Sequence, residues 1–273
     1  MSDVIHYHGT PIWGNKSEVL RHAVKGAGAF VSYARPDQIK QCLESADSLG
    51  IDNGAFSRWK DGKASYWPGF YAWLGRYYFN EKVKFFMIPD VIDGGEEDND
   101  QLIKEVPTMF KDKACPVWHL HESIDRLVRL ASEWPRIAFG SSGEYQVIRT
   151  KQWHKRMEEA FNALDDAKLY PKIHGLRMLD GRVLGNYPLT TADSTNLACN
   201  VPKWRVKYPD IGSHILERGA LASVWPKGCK PESRKERSKV QVMIDKCDEN
   251  ELKLHRCAIL KGAVESVLPP TRE

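Results

Sequence analysis

Three apolar or β-branched segments of the chain carry an aspartate at or near their C-terminal end: Asp52 in LGIDNGAF, Asp90 in VKFFMIPDV and Asp193 in PLTTADSTN. One such carboxylate is ordinarily a helix cap. Three brought into one pocket are a different matter. Unequal burial and mutual repulsion separate their proton affinities, so they can divide the roles of nucleophile, general acid/base and hydrogen-bond acceptor. Two HxH pairs stand beside them, His6/His8 and His119/His121. With Asp193, the histidines could ligate a metal that acidifies a bound water, the chemistry of a metal-dependent hydrolase. The alternative for each pair is a histidine that packs or hydrogen-bonds inside the protein.

The aspartates fall within a regular series. Eight short apolar or β-branched runs stand out: residues 4–9, 28–35, 49–56, 83–91, 115–122, 136–144, 172–179 and 188–196. Such runs, separated by stretches able to form helices, predict buried parallel strands with βα crossovers. Helices are expected over Lys16–Lys25, Gln38–Ala46, Trp67–Phe79, Asp100–Phe110, Ile124–Trp134 and Thr150–Lys168. Eight strand–helix units completed near residue 200 predict an α/β fold, a (β/α)8 TIM barrel occupying 1–200. In such a barrel the reactive groups sit where the strands end.

Beyond residue 200 the pattern changes. From Val201 to Val240 there are ten Lys/Arg against four Asp/Glu, although the whole chain of 273 residues carries a net charge of only +4. Residues 201–273 are therefore read as a basic helical extension packed on the barrel, with phosphates as its natural partner. No apolar run approaches the roughly 20 residues that span a bilayer, so no membrane association is expected. The six cysteines form no CxxC pair, which announces neither a disulfide framework nor a standard zinc site.

In order and spacing, the segments IDNGAFSRW, IPDVID, VWHLH, AFGSSGE, HGLRML and TADSTN resemble the strand-end motifs of the tRNA-guanine transglycosylase superfamily. The resemblance spans about residues 28–200. It is closer to the compact phage-encoded branch that inserts 7-deazaguanine bases into DNA than to the tRNA enzymes. It implies that Asp193 is the nucleophile, Asp52 the acid/base, and Asp90 the residue that recognises guanine. Asn53 stands where a serine commonly follows the acid/base residue. His119 falls near the glutamine that reads the base, with His121 chosen instead by a shift of two, and Gly140 and Ser141 match a glycine-rich turn against the base. The implied reaction exchanges guanine in DNA for a free 7-deazaguanine carrying a cyano (preQ0) or aminomethyl (preQ1) group, with tRNA as the less favoured substrate. It needs no cofactor, and its setting is the cytoplasm, that of the host if the gene is phage-borne. The family's tRNA enzymes also bind zinc through a CxCxxC motif and a later histidine. Here only Cys229, Cys247, His255 and Cys257 are available, at looser spacing.

Two further readings remain open at this stage. One is the metal-dependent hydrolase centred on His6 and His8. The other is a non-catalytic nucleic-acid binder, motivated by Trp204, Tyr208 and Trp225 among the basic residues of the extension. Within the extension, Lys203, Arg205 and Lys207 are the expected phosphate contacts.

Overall fold

The computed structural model describes residues 6–12, 18–62, 67–200 and, near the C-terminus, Leu254, Cys257, Lys261 and Glu265. Its strands are β1 (His6–Gly9), β2 (Gly28–Ser32), β3 (Ser48–Asp52), β4 (Val83–Met87), β5 (Ala114–Cys115), β6 (Val117–His119), β7 (Arg136–Gly140), β8 (Lys172–Leu176) and β9 (Thr191–Ser194). Every pairing is parallel, in the order β5-β4-β3-β2-β1-β9-β8-β7-β6. The two ends of that order are consecutive in the chain. Only Pro116, which has no N–H to give a ladder, separates β5 from β6. The Pro116 carbonyl still accepts from Ala138 N–H at 2.8 Å, and the Cys115 carbonyl from Ile88 N–H at 2.9 Å. The nine strands thus make a nearly closed, TIM-like barrel, and each of the eight expected runs overlaps a strand or, at Pro116, two.

The helices are α1 (Glu18–Val24), α2 (Ile39–Ser45), α3 (Ala55–Lys60), α4 (Trp67–Leu74), α5 (Glu96–Lys104), α6 (Ile124–Glu133), α7 (Lys151–Asp166), α8 (Gly181–Asn186) and α9 (Asn196–Asn200). Three of them, α3, α8 and α9, are too short to show a helical period and were not expected. The helix expected over Asp100–Phe110 begins earlier, at Glu96, and gives way before Pro107 to a 3-10 turn over Thr108–Lys113. Helix α6 starts where expected and α7 one residue later, each behind a cap, Ser123 and Thr150, whose hydroxyls accept from Arg126 N–H and Trp153 N–H.

Strand pleating sorts the residues into two layers. Tyr7, Phe30, Phe85, Met87, Cys115, Val117 and Ala138 fill the barrel interior. Their neighbours in sequence point outward: Leu49, Ile51 and Phe86 pack into one apolar layer under the helices, and Trp118, Ile137 and Phe139 into another. Of the region 201–273, Cys257 Sγ lies 3.6 Å from the Val19 carbonyl, and Lys261 Nζ donates to the His22 and Lys25 carbonyls at the C-terminal end of α1. Lys203, Arg205, Lys207, Cys229, Cys247 and His255, and with them the basic stretch, lie outside the described residues.

Candidate active site

The same alternation that fills the interior delivers polar residues to its upper rim. Ser32, Asp52, His119, Gly140 and Asp193 are each at or next to the end of their strand, and all line one cavity of about 1330 Å³ at the C-terminal face. Asp90 reaches the cavity from the loop three residues past β4. All three aspartates expected to act together therefore share one pocket.

Asp52 is set by burial. Loss of hydration raises its carboxyl from the ordinary 3.8 to about 6, with the charges of Asp90 and Asp193 adding to the rise. Hydrogen bonds from the Ser32 hydroxyl and from Gly54 N–H, at 3.2 Å to Oδ2, oppose it without cancelling it. Gly54 turns the chain from β3 into α3 with φ +81, and a Cβ there would stand 2.7 Å from the Ala34 nitrogen. Only glycine fits that turn.

Asp90 is held from two sides. Its Oδ1 accepts from Asn53 Nδ2 at 2.7 Å, and its Oδ2 lies 3.0 Å from His119 Nε2. Asn53 also donates to the Ile88 carbonyl at 2.8 Å, and its own carbonyl oxygen accepts from Ala55 N–H at 2.7 Å. One buried amide thus starts α3, fixes the end of β4 and orients Asp90.

Asp193 is 3% exposed, and its Oδ1 accepts from Arg177 N–H at 2.8 Å. The His174 Nε2 lies 3.4 Å from the same oxygen. Burial lowers the His174 pKa, which favours a neutral ring, and its Nδ1 is 2.8 Å from Thr191 Oγ1.

Of the two histidines on the fifth expected run, His119 is the one against Asp90. His121 stacks on it at 5.6 Å and places Nδ1 2.8 Å from Ser142 Oγ. Gly140 permits this packing, since a Cβ would come within 3.0 Å of His119 Nδ1. Ser141 lines the cavity, while its Oγ accepts from Trp153 Nε1 at 3.0 Å.

The metal centre considered for His6, His8 and Asp193 is not assembled. Tyr7 pairs in register with Asp193 and shares its inward face, so His6 and His8 point outward into the helical layer. There His6 Nε2 sits 3.3 Å from Glu265 Oε1, and burial lowers the His8 pKa to about 3. Among the described residues no group of three or more His, Cys, Asp or Glu is arranged to hold a metal ion. Cys257, one of the four residues considered for zinc, is buried against α1, and burial pushes its thiol up to about 12.

Several residues of the site were assigned no role from the sequence. Ser32 and His174 sit at inward positions of their strands, a parity that becomes readable once the strand ends are fixed. Arg177 contributes a backbone N–H from a left-handed conformation, φ 59, which no residue type announces. Glu122 went unnoticed in the sequence, where its i,i+4 spacing from Arg126 is the one signal that could have found it. No protein-family model matches this chain, and no curated protein matches it. Among the described residues no helix is long and apolar enough to cross a membrane.

Proposed function

We propose that the chain exchanges guanine in a polynucleotide, DNA in the first instance, for a free 7-deazaguanine base through a glycosyl–aspartate intermediate. The observation that carries this reading is the convergence of Asp52, Asp90 and Asp193 on one cavity, with Asp52 raised to about 6. A carboxyl at that value keeps a proton on roughly one molecule in ten at pH 7, against about one in a thousand for an ordinary aspartate, and can serve as an acid, then as a base.

Asp193 takes the nucleophile's role. Among the described residues both of its side-chain contacts fall on Oδ1, and Oδ2 is the oxygen assigned to attack the sugar C1′. The C1′–N9 bond breaks as the C1′–Oδ2 bond forms, through an oxocarbenium-like state, and the departing guanine takes the Asp52 proton. The incoming base then gives its N9 proton to Asp52 and attacks C1′, releasing Asp193. Two inversions give net retention, and the proton count closes without a redox partner.

Asp90 takes the recognition role. Each of its oxygens already has one neighbour, Asn53 or His119, and keeps a second lone-pair site. Guanine and 7-deazaguanines share adjacent N1–H and exocyclic amino donors that fit this pair of sites, whereas adenine lacks them.

The test is an adduct assay. Wild-type protein incubated with single-stranded DNA and no incoming base should yield a protein–DNA species that survives denaturation. Asp193→Asn should lose it, and should lose exchange by on the order of 10³-fold or more. Mass spectrometry of nucleosides from DNA and tRNA incubated with the cyano and aminomethyl bases identifies substrate and product. Turnover by Asp193→Asn at the wild-type rate would exclude the assigned nucleophile.

A further inference from the structure

Short helix α3 presents an aromatic and basic edge to the mouth of the cavity. Trp59 is 49% exposed and stands with Phe56 on one side of the helix, ring centroids 5.7 Å apart. The Arg177 guanidinium covers the Phe56 ring at 3.5 Å, and Arg58 lies 5.4 Å over Tyr33. Trp59, Phe56, Arg58, Lys60, Arg177 and Arg35 all line the same cavity. Asp61 and Asp93 line it too, so among these mouth residues four cations face two acids. A single exposed tryptophan is unremarkable on a protein surface. A tryptophan set among cations, at the entrance to a pocket whose floor is acidic, is the combination that single-stranded nucleic acids bind: bases stack on the ring while phosphates meet the cations.

We infer that Trp59 is the stacking platform for a base next to the reacting nucleotide, with Lys60 and Arg177 on the adjoining phosphates. The inference rests on the base-exchange reading, since it places the flanking strand at the same mouth. A guanine drawn into the cavity leaves its neighbours with an uncovered face. Trp59 supplies the replacement surface, and stacking of this kind tolerates any base.

The experiment uses the full chain and a labelled single-stranded 12-mer without guanine, which binds but cannot react. Trp59→Ala should weaken its binding about fivefold or more, and Trp59→Phe should restore most of it. Replacing Lys60 and Arg177 together by Gln should flatten the salt dependence by roughly 0.7 in logarithmic slope per charge removed. With a reactive oligonucleotide, Trp59→Ala should raise the oligonucleotide KM and leave the KM of the free base unchanged. A purely structural role would not produce that split. Wild-type affinity in Trp59→Ala, an equal rise in both KM values, or no affinity of the wild type for the 12-mer overturns the platform. Trp59-dependent binding without any covalent adduct overturns base exchange and leaves the platform standing. Exchange that proceeds with Trp59-independent binding does the reverse.

Discussion

In an unfolded chain the Asp52 carboxyl ionises near 3.8, but in the folded barrel it does so near 6. Between those values the native state holds a proton that the unfolded state has released, so stability falls as pH rises through the window and stays lowered above it. The group that equips the site to donate a proton therefore weakens the fold at neutral pH. Asp52→Asn should separate the two effects. We expect it to abolish exchange while stabilising the protein at pH 7.5 by on the order of 1–2 kcal/mol, a gain that fades below pH 4 where both side chains are neutral. Thermal unfolding at the two pH values measures it directly. An equal stability difference at both would mean that the asparagine acts by packing or hydrogen bonding, not by removing a desolvated charge.

The loops that carry Asp90 and His119 are tied together by a buried network behind the cavity. Asn99 of α5 accepts from Val91 N–H at 2.7 Å and donates to Glu122 Oε1 at 3.0 Å. Glu122 Oε2 accepts from His119 N–H at 2.7 Å and from Arg126 Nη1 at 2.6 Å. Arg126 continues to Asp100, which it shares with Arg129. Glu122 thus fixes the backbone on either side of the Asp90–His119 pair without lining the cavity. Glu122→Gln keeps the shape but loses the charge that Arg126 needs, and should cost about 2–4 kcal/mol in urea unfolding. It should also raise the KM for the polynucleotide more than it lowers kcat, as expected of a residue that positions the reading group. Retained stability would show that Asp100 alone suffices for Arg126. This network marks the boundary of what the sequence discloses. Strand positions and the three aspartates were legible because apolar runs and strand-end carboxylates are local signals. Asn53 was singled out, but its bond to Asp90 was not, because residues 37 apart meet only through the pairing of β3 with β4. The α3 helix, with Trp59, was hidden for a different reason: six residues after a Gly turn show no periodicity.

Across the whole molecule, the titrating groups pull stability in opposite directions with pH. Burial lowers the pKa of His8, His22 and His174, so below the ordinary 6.5 the unfolded chain binds protons that the barrel refuses, and stability falls as pH falls. Asp100, lowered by its two arginine partners against the opposing effect of burial, acts in the same sense at more acid pH, as does Glu265 beside His6 and Lys261. Asp52 opposes them between about 4 and 6. Three histidines against one aspartate leave a net loss on acidification, while the buried thiols of Cys42, Cys115 and Cys257, pushed up from 9.0 to about 12, cost stability in alkali, so the fold should be most stable between about pH 6.5 and 9. His8 is the cleanest probe, because it lies in the helical layer away from the cavity and keeps its depressed pKa, about 3, over a wide range. It should account for on the order of 2–3 kcal/mol of the stability lost between pH 6.5 and 4.5. His8→Gln should flatten that limb of the unfolding free energy by this amount, whatever its effect at neutral pH, while Asp52→Asn should steepen it. Chemical denaturation of wild type and the two variants at half-unit pH steps gives all three slopes. A His8→Gln profile parallel to wild type would mean that His8 accepts a proton in the folded barrel, and the acid sensitivity would pass to His174 and the Arg126–Asp100 network.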